Sequence, residues 1–580
     1  MHTKMTTHAA LRRLWPAAVL GALAGAAVFF WVYGPAPLNT GWDGWILNGY
    51  DEWDVQQHYA GWLLFRNSHW DFPLGYADTI AWPGGTAISY TDSLPWVSIA
   101  LKLLRGALPA TFQWFGWYTL GCFALQGAAG GLLAARGGKT RVEIALGGGL
   151  GGALFACLPT LWERAFRHTA LASQWLFLFA LFAWLESRAA LTAGGKARGW
   201  AAWFPVLGVA AVGIHPYFLP LVLVCALLAA IDHGRLTHRW GAAALQFGAA
   251  VAASAAGGVL CGALGAGGGL SREGYGEFSM NGNALWNPSS RGGYTWSRLL
   301  PAQPQLAGQY DGFNYLGLGV LGLLAAALAL ALALAAAVRR RPAVAAWWRR
   351  NAPAFAACVL LTLFALSNTV SYGSASFTIP LPGPLLSLCG IFRSSGRMFY
   401  LVAAMMLTWA IYTLRAALAA LPLRPAGKTA AFCAALALVL GVQAWDLSAV
   451  AAEKRAKFSP ETPITETVAN AEETAALGVG HTKLLAAGDV RDDRLRTLAI
   501  LAGKQGLATN LDIAVSGRHN AAAQSRADTA AALQAGQYET DAVYVTTDGG
   551  VWESWQQIFA GEESLAFFVV DSCYFMVPAA

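Results

Sequence analysis

The chain has 580 residues, of which 56% are hydrophobic and 12% charged, and its mean hydropathy is +0.44; a soluble domain carries roughly 25% charged residues. That balance excludes an ordinary soluble enzyme and describes a polytopic membrane protein. The net charge of +7 is read as membrane topology, not as an affinity for nucleic acid.

The first apolar segment, about 14 to 33, follows Arg12 and Arg13. It is long enough to span and has no small-x-small cleavage pattern before the next polar stretch, so a retained helix is expected. Further spans are expected at about 112 to 135, 142 to 158, 171 to 187, 199 to 214, 217 to 231, 241 to 264, 315 to 338, 352 to 367, 398 to 418 and 428 to 446. Together they make roughly eleven helices over residues 1 to 447, a mainly α transmembrane bundle.

Basic residues collect in alternate connections. Arg12/Arg13, Arg136/Lys139/Arg141, Arg188/Lys196/Arg198, Arg235/Arg239, Arg339 to Arg350 and Arg415/Arg424/Lys428 mark one side as cytoplasmic. The N-terminus is then cytoplasmic, and the large loops 34 to 111, 265 to 314 and 368 to 397 face outward. Counting "LPWVSIALKLLRGALP" (Leu94 to Pro109) as a span would invert every later helix, so it is expected to be interfacial or re-entrant. The runs "GGGLGGALF" and "AAALALALALAAA" suggest close helix packing through small residues.

After about Ser448 the composition becomes soluble. The apolar runs "KLLAAG", "AVYVTT" and "LAFFVVDS" alternate with helix-like stretches near 491 to 506 and 518 to 535, which predicts a small α/β domain over 448 to 580. An odd number of spans places it outside, in the periplasm of a two-membrane cell. The eight cysteines show no CxxC or Cys/His ligand spacing, so neither a zinc cluster nor a disulfide framework is expected.

The polar residues gather in the outward loops. In "GYDEWDVQQHYAGWLLFRNSHWDFPLG" (Gly49 to Gly75) the acids Asp51, Glu52 and Asp54 follow the first span. A helix from Asp54 to Arg66, with Asp54 as N-cap, would set Asp54, His58 and Trp62 on one face. A carboxylate near the membrane surface is what transfer to a hydroxyl requires, because it takes the acceptor proton as the leaving group departs.

"FRSSGR" (Phe392 to Arg397) puts Arg393 and Arg397 four residues apart, a pair suited to a phosphate. Arg164, Arg167 and His168 form a second, weaker cationic patch, and His215 in "IHPYF" marks a helix end facing a cavity. Tyr275, Glu277, Asn281, Asp311 and Asn314 lie amid glycines in the long loop, where they would serve a sugar surface or a lid equally well. Asp51, Glu52, Asp54 and Asp92 would hold a divalent cation, magnesium or manganese, if they converge. No cofactor is required by the sequence, and metal dependence stays open.

The combination "WDVQQHYAGWLLFRNSHWDFPLG", "SYTDSLP", "GEFSMNGNALWNP", "YDGFNYLGLG" and "FRSSGRMF" resembles a bacterial family of uncharacterised polytopic membrane proteins, itself similar to the GT-C glycosyltransferases. That resemblance implies a sugar donor on a polyprenyl phosphate, an acceptor glycan, lipid or protein, and a location in the bacterial inner membrane. It also implies an essential acid in the first outward loop. Asp54 is the matching position, with Asp51, Glu52 and Asp43 as competitors. The expected activity is glycosyl transfer with inversion, Asp54 acting as base, His58, Trp62, Arg66, Asp92 and His215 shaping the site, and Arg393 and Arg397 on the phosphate. The alternative is a transporter or flippase of a lipid-linked saccharide, which would need polar groups spread through the helices.

Overall fold

Backbone polar groups inside a bilayer must be satisfied within their own segment, and long apolar runs therefore become helices. The computed structural model describes residues 7–50, 54–264, 274–337, 341–514 and 519–579, and helices occupy all eleven apolar segments. Eight helices among the described residues are long and apolar enough to cross a membrane: Leu11–Tyr33, Phe115–Ala135, Thr169–Thr192, Phe218–Thr237, Trp240–Cys261, Ala345–Leu366, Ser395–Ala420 and Pro425–Asp446. Of the other three, Arg141–Ala156 has 16 residues, about 24 Å of helix against a hydrocarbon core of about 30 Å, Arg198–Ile214 is likewise short, and Leu318–Ala337 has 20 residues.

Small residues join the first helices at backbone distance. A Cβ on Gly21 would stand 2.2 Å from the carbonyl oxygen of Gly127, and one on Gly152 2.6 Å from Gly21 Cα, so the "GGGLGGALF" helix and its two neighbours touch through their glycines. The "AAALALALALAAA" run differs from expectation. Leu328 and Leu332 are exposed there, so this helix turns much of its surface outward, because small residues permit close packing without compelling it.

The two ends of the bundle are built differently. At the end of the basic loops, Arg136 pairs with Glu186 at 2.7 Å, Arg415 with Glu143 at 2.8 Å and Arg188 with Asp232 at 3.5 Å. The other end carries the irregular loops and the helix Asp54–Asn67. Pro95–Lys102 has eight residues, about 12 Å of helix, too short to span.

The C-terminal region folds into a five-stranded sheet in the order Ala508–Thr509, Lys483–Ala486, Ala542–Thr546, Cys573–Pro578, Leu565–Val570. The first three strands are parallel and the last two pair antiparallel. Its helix Asp492–Gln505 packs directly on Asp54–Asn67. A Cβ on Gly503 would lie 2.5 Å from Leu63 Cβ, Asn67 Nδ2 donates to Gly503 O at 2.7 Å, and Lys504 pairs with Asp43 at 2.7 Å. Thr509 also exchanges backbone hydrogen bonds with the loop, donating to Thr79 O and accepting from Trp82 N. The C-terminal region is thus a buttress for the helix that begins at Asp54.

Candidate functional site

Asp54 opens its helix and Arg66 stands in its last turn, the polarity that the helix dipole favours. The helix is buried from Val55 to Arg66 although it carries two glutamines, a histidine and an arginine, so its polar side chains must find partners within the protein. Gly61 lets a second strand of chain approach: a Cβ there would lie 2.3 Å from the hydroxyl oxygens of both Thr91 and Ser93. Ser93 Oγ donates to His58 O at 2.9 Å. Between these two clamped residues, Asp92 adopts a left-handed conformation, φ 54°, and its side chain reaches a cavity.

That cavity has a volume of ≈ 590 Å³ and holds Asp54, His58 and Asp92 together with His168, His215, Arg164, Arg291, Asp311, Arg393 and Arg397. Its polar lining comes mostly from loops and helix ends. Its apolar lining, Val212, Leu219, Leu223, Val251, Ala255 and Leu264, comes from the helices Trp203–Ile214, Phe218–Thr237 and Trp240–Cys261 and the turn after them; Val251 and Leu264 are also exposed. The cavity thus joins a polar set of side chains to apolar faces of three helices.

The polar lining is a charge network. Asp311 accepts from Arg164 at 2.7 Å and from Arg397 at 3.0 Å, and Glu163 pairs with Arg164 and Arg291, each at 2.8 Å. Burial opposes ionisation of Asp311, but Arg397 and Arg164 outweigh it and hold the carboxyl far below the usual range. Glu163 is held down likewise, its burial outweighed by Arg164, Arg291 and Arg167. Arg397 also lies over the Tyr217 ring, 4.6 Å from its centroid. Arg393 differs: its guanidinium has no ion-pair partner among the described residues and rests over Phe278 at 5.5 Å. Among the described residues, then, no carboxylate competes for it.

Three histidines surround Asp92. His168 Nε2 and His215 Nε2 each stand 3.5 Å from one of its carboxylate oxygens, and the His168 ring lies 5.1 Å from the rings of both His58 and His215. Burial lowers His58 to about 3; burial and neighbouring positive groups lower His168 and His215. All three rings are therefore neutral at pH 7. Burial, with the nearby Asp54 charge, pushes Asp92 up to about 7 against the pull of Arg397 and Arg393.

Several expected site residues do not line this cavity. Trp62 is buried and donates to Phe112 O at 3.0 Å, because two turns of helix carry it away from Asp54 into the protein. Arg66 donates to the carbonyls of Pro109 and Leu108 at 2.6 and 2.8 Å, holding the turn before the second span. Tyr275 packs on Phe364, and Glu277 is exposed. Asn281 pairs with both backbone groups of Gly373, at 2.8 and 3.0 Å, and Asn314 donates to Gly312 O and Gly396 O, each at 3.0 Å. The amide NH2 groups of both residues fix irregular backbone, while Asn314 Oδ1 is buried with no hydrogen-bond partner among the described residues. Asp51 and Glu52 lie outside the described residues.

Arg291, Tyr217, Tyr310 and Phe278 line the cavity without having been marked by the sequence. For Arg291 the partner is Glu163, 128 positions away, and no local pattern signals such a pairing. A denser clue lay in "WERAFRH" (Trp162 to His168), four ionisable groups inside an apolar stretch.

Comparison with known families gives two matches. A domain of unknown function (DUF6311) matches residues 22–448, and the DUF6311 C-terminal domain matches residues 473–578. No curated protein matches the chain. The first match covers well over half of the sequence, and the chain belongs to the DUF6311 family.

Proposed function

We propose that this member of the DUF6311 family is a GT-C-type glycosyltransferase of the bacterial inner membrane, moving a sugar from a polyprenyl-phosphate donor to an acceptor on the periplasmic side. The observation that carries the reading is the two-part cavity. A lipid-linked sugar has an apolar tail, an anionic phosphate and a polar sugar in sequence, and the cavity offers apolar helix faces, Arg393 with no ion-pair partner among the described residues, and the carboxylates of Asp54 and Asp92. Eleven spans, an N-terminus in the cytoplasm and the soluble region outside complete the topology, as the basic loops suggest.

In this reading the acceptor hydroxyl gives its proton to Asp54 while its oxygen attacks the anomeric carbon. The bond from that carbon to the donor phosphate oxygen breaks, and the phosphate leaves with its added charge facing Arg393. Attack and departure on opposite faces invert the centre. Arg397 and Arg164 are engaged by Asp311 and so frame the pocket, leaving the direct phosphate contact to Arg393.

The test is sugar transfer in reconstituted membranes with extracted cell lipids as donor. Asp54→Asn keeps the shape but takes no proton, and should lose about 10²-fold or more in rate with its folding intact. Transfer at the wild-type rate would move the base to another acid. Saccharide movement across the membrane without any transfer would favour a flippase instead.

A further inference from the structure

The imidazoles of His58 and His168 and the carboxylate of Asp92 come from three separate parts of the chain: the helix Asp54–Asn67, the left-handed residue after Ile88–Thr91, and the turn that follows Pro159–Arg164. One ligand atom from each lies within 4.8 Å of the other two. His58 is 1% exposed and His168 8%, and the Nδ1 atom of each is buried with no hydrogen-bond partner among the described residues. Buried polar atoms are normally paired. Both rings thus keep lone-pair or proton capacity that the described residues leave unused, beside one carboxylate, and the cluster has the donor set of a cation site.

His215 supplies the next layer. Its Nδ1 accepts the Tyr217 backbone N–H at 3.2 Å, so the neutral ring carries its proton on Nε2, which faces Asp92 Oδ1 at 3.5 Å. The other carboxylate oxygen, Oδ2, stands on the His168 side. An imidazole that orients a carboxylate in this way is the usual support for a metal ligand.

We propose that His58, Asp92 and His168 form a binding site for a divalent transition metal, with zinc the ion that fits this donor set best. Two nitrogens and one carboxylate oxygen suit zinc, whereas magnesium and calcium take shells of oxygen. Ligands at about 2 Å from one zinc stand closer together than 4.8 Å, so the side chains draw in on binding. Three protein ligands leave a coordination position open toward the cavity, where a phosphate or hydroxyl oxygen completes it. The site rests on its own geometry and stands whether or not the cavity transfers sugar.

Full-length protein purified in detergent, stripped with a chelator and then dialysed against zinc chloride, should hold one zinc per chain by elemental analysis. Cobalt(II) in its place should give a visible absorption band that zinc abolishes. His58→Gln and Asp92→Asn should each weaken zinc binding at least about tenfold, while His69→Gln, at an exposed histidine paired with Asp78, should bind as wild type does. Wild-type protein that takes up no stoichiometric zinc and shows no cobalt band overturns the site, as do folded His58 and Asp92 variants with unchanged affinity. The wild-type cobalt band decides the matter if a variant fails to fold.

Discussion

Arg393 and Arg397 sit four residues apart and face different tasks. Arg397 shares Asp311 with Arg164, and breaking a buried ion pair from one side costs about 3–5 kcal/mol, so Asp311→Ala should lower the melting temperature of the purified protein strongly. Arg393, with no carboxylate partner among the described residues, should tolerate alanine: Arg393→Ala is expected to melt near wild type yet raise the KM for lipid donor about tenfold or more, the loss of a charge-assisted contact. Equal destabilisation by both variants would show that Arg393 is structural. Asp311 also sets an acid response. Its folded-state carboxyl titrates below its unfolded value, so its contribution is complete above about pH 4 and is lost as the pH falls from there toward the depressed value. Melting temperature should therefore drop more steeply with acid below pH 4 in wild type than in Asp311→Asn.

Two glycines set the position of the helix Asp54–Asn67. Gly61 admits the Thr91 and Ser93 hydroxyls, and Gly503 admits the helix to the C-terminal region. Gly61→Ala would place a methyl 2.3 Å from two buried oxygens, forcing the Asp92 turn outward. Overpacking of this kind costs about 1–3 kcal/mol, and activity should fall further than stability because the displaced residue is Asp92. Gly503→Leu acts from the opposite side and should loosen the C-terminal region, read as faster protease release of that region from solubilised protein. If Gly503→Leu leaves proteolysis and transfer unchanged, the buttress carries no weight in the site. The helix itself was legible: an acid, a histidine at i+4 and an arginine near the end marked its start, direction and length. Its surroundings were not, because a helix of even apolar and polar mixture gives no sign of which face meets water, and Trp62 was therefore expected beside Asp54 when it is packed against the loop at Phe112.

At the scale of the whole molecule, the two ends of the bundle divide the ionisable groups, with paired Arg–Glu and Arg–Asp bridges at one and the cavity at the other. If the orientation inferred from the basic loops is right, a single cysteine introduced at exposed Gln556, with the native cysteines replaced, should be labelled by a membrane-impermeant maleimide from the periplasmic side; labelling from the cytoplasmic side alone would reverse the topology. Sequence by itself determined the apolar helices, the change of composition near Ser448, three of the five strands that follow it and the helices Asp492–Gln505 and His519–Gln534, because hydropathy and periodicity are local properties that survive without neighbours; the short strand Ala508–Thr509, the strand Cys573–Pro578 and the helix Gly549–Ile558 were not marked. It also singled out Asp54, His58, Asp92, His215, Asp311, Arg393 and Arg397 by residue type and loop position. Only the tertiary structure decided which of the marked residues share one cavity, that Asn281 and Asn314 donate their amide N–H groups to backbone, that Arg397 is ion-paired while Arg393 has no such partner among the described residues, and that the C-terminal region braces the acid-bearing helix. Each of these depends on contacts between segments distant in the chain, from 82 positions for Asn314 and Gly396 to 436 for Asn67 and Gly503, and the energy of a buried charge or an orphaned imidazole is set by the partners that folding brings to it.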